Sequence, residues 1–279
     1  MALEVIPAHD LLLADQAKTF TEAFAGYVGG SFEMDAAGLA RFISLQGADI
    51  CHSRFVRTAE GLAGFAYVNR TADISRIGGM GVVPEARRSG VARHLLRHLI
   101  EEAQSRGDQA MILEVIEQNP AAHALYASEG FQEVDHLGSW RRPAGPTGWE
   151  PSEALRDVPL IQVSQLPSAL EYPNIPWPIS RHAMTKAAIG HAFRSDNGLI
   201  VTGDLEVTPV RLYLFSCPST HEMDWNALRD ALGALLRLYP DHEFFCPAVF
   251  PDRFGEEIFQ PLGFARDPLN QFLMRKNLP

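Results

Sequence analysis

Arg87, Arg88 and Arg93 crowd around Gly90 and Ala92, where an extended run from Ile77 to Val83 gives way to a helix. The start of a helix leaves several backbone N–H groups without intrahelical partners, all pointing the same way. Those donors, the positive end of the helix dipole and adjacent guanidinium groups suit a phosphate or pyrophosphate. Gly90 and Ala92 are small enough to let an anion reach the backbone. On these residues alone, a solvated basic joint between strand and helix is an equal reading. His94 and His98 lie four apart on the same helix, but no third ligand accompanies them, and no metal is expected. No Gly-x-Ser-x-Gly elbow, Walker loop or dinucleotide fingerprint occurs.

The pattern Arg87-x-x-Gly90-x-Ala92 after Val82-Val83-Pro84 resembles the acetyl-CoA-binding signature of the GNAT superfamily of N-acetyltransferases. Downstream, the run from Asn119-Pro120 through Tyr126 to Gly130-Phe131 resembles the second signature of that family, with a strand from Ala110 to Ile116 between the two. The resemblance covers Ile77 to Val134. It implies that Arg87, Arg88, Ser89, Gly90, Val91, Ala92 and Arg93 receive the pyrophosphate of acetyl-CoA. It also implies that Met80, Gly81 and Val82 lie on a strand that splays from its neighbour and binds the pantetheine arm through its backbone. Asn119 matches a cofactor-contacting asparagine, although a helix N-cap would explain it without a ligand.

Acetyl transfer to an amine needs a neutral amine and a proton for the departing thiolate. A lysine-type amine, with pKa about 10.4, is almost wholly protonated at neutral pH, so a base or a water chain must take a proton. Tyr126 matches the residue that supplies the acid in the family; its other reading is an aromatic lid on the core. Glu114 stands where some members place a base, and an outward-facing carboxylate there would be unremarkable. A helix–loop–helix near the N-terminus would wall the acceptor site, making Tyr27, Phe32 and Glu33 candidate contacts, unless two aromatics merely tuck that loop under. The implied function is an acetyl-CoA-dependent N-acetyltransferase that moves an acetyl group to a primary amine by direct attack in a ternary complex. No cysteine suits a covalent intermediate. The alternative is a non-catalytic acyl-CoA-binding or sensing module. The acceptor, a small-molecule or peptide amine, is not legible, nor is acetyl distinguished from a longer acyl group.

The elements that must position these residues read as an α/β chain with a mixed sheet. Strands are expected at Leu3–Pro7, His52–Thr58, Leu62–Asn69, Ile74–Val83, Ala110–Ile116 and Phe131–Trp140, with a hairpin at Ala59-Glu60-Gly61. Apolar residues at helical spacing mark a helix from Leu13 that stops at Gly29-Gly30, a second capped by Asp35, and a third over Arg88–Arg106. Gly78, Gly79 and Gly81 inside a strand point to a bulge or a close backbone approach. Arg142-Pro-Ala-Gly-Pro-Thr-Gly-Trp-Glu-Pro reads as a linker. Beyond it the order partly repeats: strands at Val158–Val163, Ala192–Asp196, Leu199–Gly203, Val207–Phe215 and Glu243–Phe250, and an amphipathic helix from Trp225 to Tyr239. Phe259-Gln-Pro-Leu-Gly263-Phe264 echoes Tyr126-Ala-Ser-Glu-Gly130-Phe131, but Ser216 to Glu222 has neither glycine nor arginine. Two GNAT-fold domains follow, each a mostly antiparallel central sheet flanked by helices: a catalytic one at 1–142, a linker at 143–157 and a degenerate one at 158–279. An unrelated second α/β domain is the other option.

At 279 residues the chain has room for two domains, and 46% hydrophobic residues supply their cores. A formal net charge of −10 disfavours a nucleic-acid partner and mildly favours a cationic acceptor. No apolar run is long enough to span a bilayer, the first residues do not read as a signal peptide, and three scattered cysteines suit a reducing cytoplasm. Neither a monomer nor a homodimer is excluded.

Overall fold

The computed structural model describes residues 3–30, 32–165, 190–196, 198–216 and 224–279. The chain divides into two compact units, Met1–Val134 with Phe272–Pro279, and Asp135–Gln271.

In the first unit, strands β1 (Glu4–Pro7), β2 (Arg54–Thr58), β3 (Gly61–Thr71), β4 (Ile74–Val82) and β5 (Ala110–Ile116) lie side by side in that order. The end of the chain's last strand, from Phe272 onward, lies beyond β5. Neighbours from β1 to β4 are antiparallel, and β4 and β5 are parallel. A parallel pair needs a crossover, supplied here by helix α3 (Val91–Ser105). Successive strand residues face opposite ways. Val56, Ala66 and Val68 therefore join the core under α3, with Leu95, Leu96, Leu99 and Met111. Phe55, Phe65 and Tyr67 join an aromatic core with Phe20 of helix α1 (Leu13–Ala23) and Leu39 of helix α2 (Ala36–Leu45). Met274 and Leu278, from the chain end, are buried in the α3 core, and the Leu278 N–H donates to the Gln109 carbonyl at 2.8 Å.

Two features of β4 shape the site. Its ladder with β5 runs from Ile74 opposite Ala110 to Ile77 opposite Leu113 and stops, whereas its pairing with β3 continues to Val82 opposite Gly64. The strands thus fork after Ile77. At the fork Tyr67 pairs with Gly79 and Val68 with Ile77, leaving Gly78 as the extra residue of a bulge. Helix α4 (Pro120–Ser128) follows β5, with Asn119 as its N-cap accepting from the Ala122 N–H at 3.2 Å.

Several boundaries differ from those expected. Helix α1 ends at Ala23, so Tyr27 sits in the turns that follow. Helix α3 begins at Val91 because Arg88 and Gly90 both have positive φ, +61° and +92°, which no right-handed helix accommodates. The expected strand Val158–Val163 is instead a short strand, β7 (Arg156–Val158), and a 3₁₀ turn, Leu160–Gln165.

The second unit orders its strands β6 (Gln132–Arg142), β11 (Phe244–Pro251), β10 (Val210–Ser216), β9 (Gly198–Thr202), β8 (His191–Arg194) and β7. Here β10 and β11 are the parallel pair, and helix α5 (Trp225–Leu238) crosses between them, burying Leu228, Leu232, Leu235 and Leu236. The segment 143–157, expected as a linker, falls within this unit. Arg142 donates to the carbonyls of Pro143, Gly145 and Pro146, and Trp149 Nε1 donates to Asp230 Oδ1 at 3.0 Å. The final strand β12 (Ala265–Asn277) begins in this unit and ends in the first.

The echo between the two halves extends to the backbone. The Phe131 N–H donates to the Tyr126 carbonyl at 3.1 Å, and the Phe264 N–H to the Phe259 carbonyl at 3.0 Å. Gly130 and Gly263 have φ of +89° and +82°. The expected degenerate loop, Ser216 to Glu222, lies outside the described residues apart from Ser216, as do Asn197 and the stretch Pro173–Pro178.

Candidate active site

The start of α3 is built by conformation as much as by composition. Gly90 is the N-cap and makes no side-chain cap. A Cβ there would meet nothing within 4 Å, so the left-handed φ, rather than crowding, calls for glycine. Arg88 takes the left-handed conformation without being glycine, a strain of roughly 1–2 kcal/mol of the kind found at ligand sites. Among the described residues, the N–H groups of Val91, Ala92 and Arg93 have no backbone acceptor, while the His94 N–H reaches the Gly90 carbonyl at 2.9 Å. Arg87 ties the loop down, donating to the Val82 carbonyl at 3.3 Å and the Ala23 carbonyl at 3.1 Å. Arg93 is held by Glu129 at 3.1 Å and Ser128 at 3.1 Å. Arg88 is exposed, with its charge open to solvent.

A cavity of about 800 Å³ runs from this helix start to the mouth of the β4–β5 fork. Met80, Gly81 and Val82 line it from β4, Tyr27 and Phe24 from the segment after α1, and Asn119, Ala122 and Tyr126 from the α4 side. Arg87, Arg88, Gly90, Val91, Ala92 and Arg93 line its basic end. The fork leaves the β5-facing edge of β4 past Ile77 without a strand partner, an edge that an extended chain can pair with.

Tyr126 is 8% exposed, and its hydroxyl donates to Met80 Sδ at 3.8 Å. A thioether is a weak acceptor, so the hydroxyl is free to donate to a better one. Burial pushes the Tyr126 pKa well above the ordinary tyrosine range, and nearby Tyr27 pushes it further. Burial raises the Tyr27 pKa too, opposed by a hydrogen bond from the Asn119 side chain. Asn119 therefore caps α4 and also eases the ionisation of Tyr27.

Four expected site residues do not line this cavity. Ser89 donates back to the Ala86 carbonyl at 2.7 Å. Phe32 packs on Phe24 and Phe20, with ring centroids 5.5 and 6.2 Å away. Glu33 lines a separate open depression with Thr21, Asp35 and Arg41. Glu114 stands at the fork in a buried ion pair: Arg76 Nε donates to its two oxygens at 3.1 and 2.9 Å, and Nη2 to Oε2 at 2.6 Å. Conversely, Phe24 and Gln118 line the cavity unforeseen. Phe24 lies on the apolar stripe of the expected first helix, and its position just before the glycines was the signal available.

Residues 19–131 match the model of the acetyltransferase (GNAT) family. The chain carries a GNAT acetyltransferase domain. Over 93 residues it is 37% identical to the [ribosomal protein bS18]-alanine N-acetyltransferase of Escherichia coli strain K12, an alignment covering 33% of this chain and 62% of that one. The chain thus spans under two thirds of that relative's length. A GCN5-related N-acetyltransferase from Sphaerobacter thermophilus shares the fold over 99% of this chain and 95% of its own, with a TM-score of 0.64 at 14% identity. A tandem GNAT protein from the clavulanic acid biosynthesis pathway does so over 99% and 98%, with a TM-score of 0.60 at 15% identity. At such identities the likeness is one of fold. That likeness of fold covers 99% of this chain.

Proposed function

We propose that the first unit is an acetyl-CoA-dependent N-acetyltransferase acting on a primary amine by direct attack. One observation carries this reading: unpartnered N–H groups at a basic helix start, an unpaired strand edge and a buried tyrosine hydroxyl share a single cavity. Pyrophosphate suits the N–H groups of Val91 to Arg93 with Arg88 beside them. An extended amide-bearing arm suits the edge of Met80 to Val82. In the transfer, a C–N bond forms to the acetyl carbonyl carbon, the C–S bond breaks, the amine gives up a proton and the thiolate leaves.

Tyr126 is the acid in this account. Its raised pKa keeps it protonated through neutral pH, so it stabilises the departing thiolate by donating a hydrogen bond. Glu114 is fully engaged by Arg76, and water is the simpler acceptor for the amine's proton. An α-amine, with pKa about 7.7–8.0, is substantially neutral near pH 7.5 and needs the least help. The Escherichia coli relative, an alanine N-acetyltransferase, supports testing such acceptors first.

The direct test of the binding half is calorimetry with Gly90→Val. The substitution forces a β-branched residue into φ +92° and displaces the N–H groups. We expect acetyl-CoA affinity to fall at least tenfold or so, given that 1.4 kcal/mol of strain suffices for that. Unchanged affinity in a folded variant would contradict the assignment.

A further inference from the structure

The buried pair Arg76–Glu114 stands at the point where β4 and β5 part. Ile77 opposite Leu113 is the last pair of the ladder, so Arg76 precedes the fork and Glu114 is the first residue beyond it. Both side chains are 5% exposed. The remaining arm of the guanidinium, Nη1, donates to Gln46 Oε1 at 3.0 Å. Gln46 is the C-cap of α2, and its carbonyl accepts from Asn69 Nδ2 on β3 at 2.8 Å. Gly78, the bulged residue, makes room: a Cβ there would lie 2.8 Å from Arg76 Nη1. One guanidinium therefore joins both arms of the fork to the end of α2. Such fork-to-carboxylate geometry is rigid in a way a lysine could not reproduce.

Building on the acetyltransferase reading, we propose that Arg76 and Glu114 are positioning residues. Together with Gln46 they set the opening between β4 and β5, and hence where an acyl-CoA arm lies relative to Tyr126. Glu114 acts through Arg76 and does not take the proton of the amine. The rival role, general base, makes opposite demands. A base is lost with its carboxylate whatever stands at position 76, whereas a mispositioned fork is restored once the uncompensated charge is also removed. Breaking one side of a buried pair is costly, while replacing both sides by neutral groups often is not.

The experiment compares the wild-type chain with Glu114→Gln, Arg76→Gln and the double variant Arg76→Gln/Glu114→Gln. It reads acetyl-CoA affinity by calorimetry, kcat against pH, and folding by circular dichroism. Each single change should weaken acetyl-CoA binding by about tenfold, typical of coupling within a shared network. The double variant should recover most of that loss and keep the acidic limb of the wild-type kcat profile. If a single variant does not fold, the double variant alone decides. A folded double variant that binds acetyl-CoA normally but has kcat down by about 10²-fold or more and no acidic limb identifies Glu114 as the base, and the proposal fails. A folded double variant whose affinity stays as low as that of the single variants also overturns it. Wild-type protein that binds no acetyl-CoA overturns the acetyltransferase reading as well, so the two failures are distinguishable.

Discussion

Tyr126 shows how much a single side chain can be asked to do. Tyr126→Phe keeps the ring against Phe131, 5.9 Å between centroids, and removes only the hydroxyl. Acetyl-CoA affinity should hold while kcat falls by about 10²-fold, the loss expected for positioned proton donation, measurable by steady-state kinetics. Because burial raises this pKa, the hydroxyl stays protonated through the ordinary tyrosine range near 10. Wild-type activity should therefore show no alkaline decline attributable to Tyr126 below about pH 10, and the phenylalanine variant should have the same alkaline profile. A tyrosine whose folded pKa is raised leaves stability intact below the unfolded value and loses it as pH rises beyond. Tyr126 and the buried Tyr67 both contribute, so unfolding should set in above about pH 10, with tyrosinate absorbance rising alongside. The types and order of these residues were legible in the chain, since two short patterns share one neighbourhood. The burial of Glu114 was not. Its partner Arg76 lies 38 positions away on another strand, and no local pattern reveals which carboxylates a sheet will cover.

At the scale of elements, periodicity served well where a stripe is one-sided. The buried residues of α3, Val91, Leu95, Leu96, Leu99, Ile100 and Ala103, are those its spacing marked. It served poorly where backbone conformation decides, as at the start of α3, which two positive φ values fix. The chain end is the element that sequence order hides. Residues 272–279 belong to the first unit and bury Met274 and Leu278 in its core, although 130 residues or more separate them from the rest of that unit. Burying such side chains stabilises by about 1.5–3 kcal/mol each. Deleting 272–279 should therefore destabilise the first unit by several kcal/mol, about 3–6 from these two side chains alone, visible as a lower melting temperature. A fragment ending at 142 should fold poorly for the same reason. A fragment 1–142 as stable as the first unit in the whole chain would contradict this view of the chain end.

For the molecule as a whole, the repeated architecture raises the question of how many acyl-CoA sites a chain holds. Phe259 stands where Tyr126 stands in the repeat, is fully buried, and packs against Trp140, Phe250 and Phe264. A fully buried ring without a hydroxyl has nothing to give a leaving group. We propose one acyl-CoA site per chain, and calorimetric titration should return a stoichiometry near one; a value near two would reveal a second site. Among the described residues no helix is long and apolar enough to cross a membrane, and no group of three or more His, Cys, Asp or Glu gathers as metal ligands would. The repeat was visible in the sequence in the order of its elements and in the Gly-Phe near the end of each half, but not residue by residue, because β-strands of a fixed fold tolerate wide substitution so long as the inward faces stay apolar.

The central claim is that the cavity transfers an acyl group rather than merely holding one. It is tested most directly by following the release of free CoA from acetyl-CoA as peptides with free α-amines are added, with mass spectrometry of the peptides. The account predicts thiol release that depends on both acetyl-CoA and the amine, a matching mass increase of one acetyl group on the amine, and loss of both in Tyr126→Phe. Tight binding of acetyl-CoA with no amine-dependent release across a broad acceptor panel would contradict it, and would make the protein an acyl-CoA-binding module.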